Sequence, residues 1–232
     1  MAESHDVEVP IAAPADRSRG ADLGCSKSGI TGGSYEAIFV LGPSSSGKTT
    51  LCEALAKDLE IDPSCYIKEV ARTVMRAQGF TRADTDTYEM QYAIMSAQLR
   101  TEEEVIGRMG GSNAVRLLSD RSAIDPIVYA STSTVSGALE RRQRLLADSS
   151  LHAILPFYRD SLFVVLQPVR EWMIDDGVRS LEDPWIYLQT LHATLDELKI
   201  PYIVIGEDTR DINHRVGLVR HYLKNSHSTP AQ

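Results

Sequence analysis

Cysteine is scarce in this 232-residue chain: Cys25, Cys52 and Cys65 are an odd number with no Cys-x-x-Cys pair. That excludes a disulfide framework or a thiolate zinc site and points to reduced thiols in a reducing, cytoplasmic compartment. Long apolar runs are also missing. The longest, Leu162–Leu166, is far too short to cross a bilayer. Glu3, Asp6 and Glu8 stand where a signal peptide would carry its apolar segment. Positive charge is in the minority, with 24 Lys and Arg against 32 Asp and Glu and a formal net charge of −8. Broad binding to nucleic acid or an anionic membrane is therefore not expected, although a local basic site is compatible with it. The six histidines show no metal-ligand spacing. What remains is ordinary globular composition, 43% hydrophobic and 24% charged. It suits about one domain able to bury a core without disulfides or a structural metal.

Residues 1–34 are rich in Ala, Asp, Ser, Gly and Pro and lack apolar periodicity, so they are predicted to form a flexible arm. Residues 35–223 read as the folded domain and 224–232 as a loose tail. Within the domain, strands and helices alternate. Strands are predicted at 35–41, 65–68, 114–119, 162–166 and 202–205. Helices are predicted over 50–59, with Leu51, Leu55 and Leu59 on one face, over 70–77, over 87–108, and around Leu188, Leu191, Leu195 and Leu198. In the 87–108 helix, Tyr88, Tyr92, Met95 and Leu99 are expected to form the core-facing stripe. The alternation implies an α/β fold with a parallel sheet covered on both faces. Ligands of such sheets bind at the carboxyl ends of the strands, and every motif below falls at such an end.

The strongest motif is Gly42-Pro43-Ser44-Ser45-Ser46-Gly47-Lys48-Thr49, followed by Thr50. It matches the P-loop pattern, between a predicted strand and a predicted helix. A loop this short wraps a β-phosphate with inward-facing amides from Ser44, Ser45, Ser46 and their neighbours, and the helix N-terminus favours the anion. Lys48 brings charge to the β- and γ-phosphates, and the Thr49 hydroxyl is suited to Mg²⁺. The Asn-Lys-x-Asp of GTPases and the Leu-Ser-Gly-Gly of transporter ATPases are absent.

A small-molecule kinase also needs groups for the acceptor hydroxyl, the metal side and the developing charge. Glu69, at the end of the second predicted strand, can accept the acceptor's proton or orient its hydroxyl. Arg72 lies three residues on, on the same helical face, and the two also fit a plain surface ion pair. Asp120 ends the third strand, as the second acidic arm of P-loop enzymes does. Arg121 is a candidate for phosphate contact or for buttressing the site. Asp125 is a candidate substrate ligand or a simple charge at a helix N-terminus. Arg179, after the fourth strand and next to Gly177, is placed to close on the phosphoryl group. Glu140, Arg141, Arg142 and Arg144 read as a solvated helix face, and residues 206–210 as the region where the nucleotide base rests.

Three segments in this order, Glu69-Val70-Ala71-Arg72, Asp120 to Pro126 with Tyr129 following, and Trp172 through Asp175-Asp176-Gly177-Val178-Arg179, resemble the NadR-type P-loop family, the ribosylnicotinamide kinase-like ATPase domains. The resemblance runs from about residue 35 to 223. It implies a nucleoside monophosphate kinase-like fold with sheet order 2-3-1-4-5. It also implies Mg²⁺-dependent transfer of the ATP γ-phosphoryl group to the 5′-hydroxyl of a riboside such as nicotinamide riboside. The adenylyltransferase or DNA-binding domain that often precedes the kinase has no counterpart in residues 1–34, so no repressor role is carried over. Other members of the broad family look like nucleotide-binding trafficking factors with guanine nucleotide and phosphoinositide ligands. A nucleotide-switched binding module without transferase activity is therefore the alternative.

Overall fold

The computed structural model describes residues 35–108, 117–172 and 183–225. Its centre is β1 (Ala37–Leu41), a run of five apolar residues all fully buried. Only a strand covered on both faces tolerates such a run, and that is the setting of parallel sheets. Alongside it lie β2 (Tyr66–Ile67), β3 (Leu117–Asp120), β4 (Leu162–Leu166) and β5 (Tyr202–Ile205). All pairings are parallel, in the order β2-β3-β1-β4-β5. This is the expected sheet order.

Eight helices of the described residues connect and cover the strands: α1 (Lys48–Asp58), α2 (Val70–Gln78), α3 (Tyr88–Ile106), α4 (Ile124–Thr132), α5 (Ala138–Leu146), α6 (Ser149–Arg159), α7 (Pro184–Glu197) and α8 (Ile212–Asn225). Side chains alternate across β1 and divide the core. Phe39 stacks on Phe163 with ring centroids 4.7 Å apart and meets Tyr158 edge-on at 5.0 Å, under α3, α4, α6 and α7. Ile38 and Val40 face the other way, toward Leu51 and Leu55 of α1 and Val219 of α8. Truncating Phe39 to Ala would destabilise the fold by about 3–5 kcal/mol.

Two local expectations change. The third strand runs one residue beyond its predicted end to Asp120, paired with Val40, while positions 114–116 lie outside the described residues. The α3 stripe is rotated from the predicted one. Tyr92 is 40% exposed, stacked on Tyr88 at 5.4 Å, and the inner face carries Gln91, Met95, Gln98, Leu99 and Glu102. Met90, Ile94 and Val105 are buried as well, so the predicted stripe is right at Met95 and Leu99 and leaves out the buried polar Gln91, Gln98 and Glu102. Among the described residues, no helix is long and apolar enough to cross a membrane.

Candidate active site

β1 runs into the phosphate loop through Gly42, whose φ is +144°. A Cβ there would sit 2.6 Å from the Leu166 carbonyl oxygen, so the loop leaves the sheet only with glycine at this point. Ser45 adopts φ +58°, a left-handed conformation of the kind retained at ligand-gripping turns. Gly47 caps α1 at φ +87° with no side-chain cap, which leaves the first-turn amides without a side-chain acceptor. Ser46 is buried and donates its hydroxyl to the Pro43 carbonyl at 2.9 Å. Lys48, 5% exposed, also turns its ammonium back on the Pro43 carbonyl and lies 3.4 Å from the Ser46 hydroxyl. Ser44 is half-buried, and Ser45, Thr49 and Thr50 are exposed around the rim.

The loop meets β3 directly. The Thr49 hydroxyl donates to Asp120 Oδ2 at 2.5 Å, while the buried Asp120 Oδ1 has no partner among the described residues. A hydroxyl beside a carboxylate with one free buried oxygen is a hard-oxygen donor set suited to Mg²⁺. No group of three His, Cys, Asp or Glu able to hold a metal occurs among the described residues, so nucleotide oxygens and water would complete such a site.

The chain turns sharply at Arg121. Its φ is +87°, rare for a non-glycine residue, and its amide donates to the Val40 carbonyl at 3.0 Å. This sends Arg121 away from Asp120. Its Nη1 donates to Asp125 Oδ1 at 2.6 Å, and its Nε lies 3.3 Å from Glu69 Oε1, an ion pair without hydrogen-bond alignment. Glu69 is shared with Arg72, whose Nε donates at 2.9 Å. Burial alone would lower the Arg121 pKa. The oxygens of Tyr129, Asp125, Glu69 and Tyr187 outweigh burial and hold it well above its ordinary value. Asp125 is 3% exposed and also accepts from the Tyr187 hydroxyl at 2.6 Å. Its carboxylate thus fixes Arg121 rather than serving only as a dipole charge.

Behind this chain of charges opens a pocket. Met75, Met90 and Ile94 give it apolar walls, and Arg121, Asp125 and Gln98 give it polar ones. Glu69, Arg72, Asp120, Arg121 and Asp125 therefore gather with the phosphate loop at one end of the sheet. Arg179 lies outside the described residues, as do Asp175, Asp176 and Gly177. In α5, Arg144 is exposed, as expected of its run, and its guanidinium lies 3.6 Å from the centroid of the Tyr88 ring.

Several supporting residues escaped the sequence reading. Gln98 donates to Ser119 Oγ at 3.1 Å and to Glu102 Oε1 at 2.8 Å, Tyr158 donates to Glu102 Oε2 at 2.5 Å, and the Ala123 amide donates to Tyr158 at 3.2 Å. This buried network holds β3 and the turn after Asp120. On the other flank, Arg215 of α8 donates from Nε to the Thr209 carbonyl at 2.5 Å and from Nη1 to the Ser46 carbonyl at 3.0 Å. It ties the turn after β5 to the phosphate loop. The signal for both is a charged residue on an apolar face: Glu102 follows Met95 and Leu99, and Arg215 precedes Val219 and Leu223 at helical spacing.

A family model described as an AAA domain matches residues 37–214. No curated protein matches the chain. Among solved structures, the NadR protein in complex with NR superposes with a TM-score of 0.62 at 22% identity. That match covers 82% of this chain and 52% of the NadR chain, so the present chain spans about half the length of that relative. Thymidylate kinase from Candida albicans gives a TM-score of 0.55 at 15% identity, over 86% of this chain and 96% of its own. Deoxyadenosine kinase from M. mycoides gives 0.52 at 14% identity, over 82% and 99%. At these identities the likeness is one of fold, and the fold is that of P-loop kinases.

Proposed function

We propose that this chain, which belongs to the AAA-domain family, transfers the γ-phosphoryl group of ATP to a hydroxyl of a riboside-sized acceptor, in a cytoplasmic setting that keeps its thiols reduced. One observation carries the reading. Asp120 and Arg121 are consecutive, yet Asp120 meets Thr49 of the phosphate loop while Arg121 lines the pocket behind it. A single turn of backbone joins a phosphate cradle to a small-molecule pocket, which a transferase requires and a simple hydrolase does not. The likeness to NadR in complex with NR favours a ribosyl acceptor such as nicotinamide riboside, phosphorylated at its 5′-hydroxyl.

In this reading the loop amides and Lys48 bind the β- and γ-phosphates, and Lys48 exchanges its contact with the Pro43 carbonyl for phosphate oxygens. Thr49 and Asp120 hold Mg²⁺. When bound, the ion offsets charge on the phosphate oxygens. The acceptor oxygen bonds to the γ-phosphorus as the bond to the bridging oxygen of ADP breaks, and the acceptor's proton passes to water. Glu69 accepts ion-pair contacts from two guanidinium groups, so it is better suited to orienting the acceptor hydroxyl than to removing its proton. A loose phosphoryl-transfer transition state demands little base catalysis, which agrees with that role. Arg121, steadied by Asp125, bridges the two sites, and Arg72 steadies Glu69. Arg179 supplies the second cation.

The test is incubation with ATP, Mg²⁺ and a panel of ribosides including nicotinamide riboside, with phosphorylated product followed by mass. The Lys48→Ala variant should lose turnover by roughly 10²–10³ or more. Normal turnover in that variant would refute the assignment. ATP binding with no product from any hydroxylated acceptor would select the nucleotide-switched module instead.

A further inference from the structure

The chemistry proposed above gives no part to one buried carboxyl. Glu102 of α3 is fully buried, one helical turn after Gln98, so the two side chains meet on one face. Gln98 Nε2 donates to Glu102 Oε1 at 2.8 Å and to Ser119 Oγ at 3.1 Å. Gln98 also lines the pocket beside Arg121 and Asp125. Its Oε1 accepts from no group among the described residues and is not sealed away, so that oxygen opens into the pocket. Gln91, two turns earlier, is held in the same sense: its Nε2 donates to the Thr85 carbonyl at 2.7 Å, which leaves Oε1 to the pocket. Together with the Asp125 carboxylate, these oxygens make a wall of hydrogen-bond acceptors.

The wall keeps this character only while Glu102 is ionised. A carboxylate accepts and cannot donate, so it draws the NH2 end of Gln98 toward itself. A neutral carboxyl carries a hydrogen that needs an acceptor. Tyr158 is ill placed to serve. Its oxygen already accepts from the Ala123 amide at 3.2 Å, and its own hydrogen goes to Glu102 Oε2. Were it to take the acid's hydrogen, its own would lose its acceptor. Gln98 serves by turning its amide about the last, soft torsion. Oε1 then faces Glu102, and Nε2 faces the pocket. The titratable groups facing Glu102 are Tyr158 of α6, Asp125 of α4 and Glu103 on its own helix. The two acids favour its neutral form, and burial keeps the Tyr158 phenol protonated.

We propose that Glu102 is a positioning residue for the phosphoryl acceptor: its proton decides whether Gln98 shows the pocket a carbonyl oxygen or an N–H. This rests on the acceptor role of the pocket in the function proposed above. The ionised form gives the accepting wall, which suits an acceptor with N–H donors or a positive charge, such as the carboxamide and pyridinium ring of nicotinamide riboside.

Two measurements on the full chain test it. The first needs no acceptor. Hydrogen exchange of the Gln98 side-chain amide, assigned by its loss in Gln98→Leu, is followed by heteronuclear NMR. Its protection should rise with pH through a midpoint of about 8, as Glu102 and Ser119 take up both hydrogens, and should stay level in Glu102→Gln. The second is the KM for nicotinamide riboside between about pH 7 and 9 at saturating Mg·ATP. It should fall with rising pH by about threefold to tenfold in the wild type, the worth of one neutral hydrogen bond, and hold at the acid value in Glu102→Gln. The KM for Mg·ATP should not follow. A loosened core would not move one KM with pH and spare the other. Protection that ignores pH, a flat wild-type KM, or a KM that titrates equally in Glu102→Gln would each overturn the proposal and leave the kinase reading intact. No phosphorylated riboside at any pH would remove that reading itself, and with it the role of Glu102.

Discussion

Replacing Glu102 with Gln separates a charge held in the core from the hydrogen bonds around it. Glu102 is fully buried on α3, accepting from Tyr158 and Gln98. Burial pushes its pKa up from 4.5 to about 8, and those two hydrogen bonds oppose the rise only in part. The folded state therefore binds the proton more tightly than the unfolded chain. Stability is greatest below the unfolded value and is lost as pH climbs toward the folded one. Between about pH 5 and pH 7 the linkage integrates to roughly 2–3 kcal/mol, which for a domain of this size lowers Tm by about 5–10 °C. Gln mimics the protonated acid, with the Gln98 amide able to turn and offer its oxygen.

Other groups titrate in or near the same range. Burial lowers the His192 pKa, so that histidine favours stability as pH rises toward its ordinary value, the opposite sign. Asp62, Asp84 and Glu171, held low mainly by hydrogen bonds at the surface, act only in acid. All four are common to both proteins and cancel in the difference. Urea unfolding of the nucleotide-free chain across about pH 5 to 8 should give curves that meet at the acid end and diverge at neutrality, with Glu102→Gln the more stable there. Parallel curves would refute the burial argument.

Three more outcomes follow from the site. Gly42→Ala should lose about 2–4 kcal/mol, because its Cβ meets a backbone oxygen at 2.6 Å, whereas Gly47→Ala meets side-chain atoms at 3.0 and 3.4 Å and should lose about 1–2. A reversed order in urea unfolding would contradict the packing. Asp120→Asn should raise the Mg²⁺ concentration needed for half-maximal turnover and cut kcat by roughly 10²–10³, and chelation should stop the wild type; a rate insensitive to Mg²⁺ in both proteins would remove the metal assignment. Burial raises the Cys52 thiol pKa well above its ordinary value, so a maleimide near pH 8 should label the half-buried Cys65 before Cys52 in the native chain, and peptide mapping that finds Cys52 labelled as fast as Cys65 would argue against the tight α1–β3 contact.

The sheet was legible because its chemistry is monotonous. Strands buried on both faces read as short apolar runs, and those runs end where Gly42, Asp120 and Gly206 begin the functional turns. The phosphate loop was legible because its spacing is dictated by backbone geometry alone. Residues 69–72 and 120–125 were legible as candidates, but not as a chain, since the Glu69–Arg121 contact spans β2 and β3 and depends on register. The buried polar residues of α3 were missed because hydrophobicity is blind to polar side chains whose partners come from elsewhere: Glu102 is held by Gln98 and by Tyr158, fifty-six positions on, and Arg215 by Thr209 and by Ser46, one hundred and sixty-nine positions back.

Those same unreadable residues share a location. Arg121 in a left-handed conformation, Glu102 with a carboxyl in the core and Arg215 with an unbonded donor each disfavour the folded state, and a sequence selected for stability alone would replace all three. They are not scattered. Arg121 follows the carboxyl end of β3, Glu102 is bonded through Gln98 and Tyr158 to the residues on either side of that end, and Arg215 holds the phosphate loop that follows β1. Strain and buried charge that collect around one mouth of a sheet, while the rest of the core is apolar and close-packed, are what a site shaped for binding a charged ligand leaves in a structure without one. Nucleotide binding should therefore stabilise this chain against urea, and the Lys48→Ala variant should lose much of that gain.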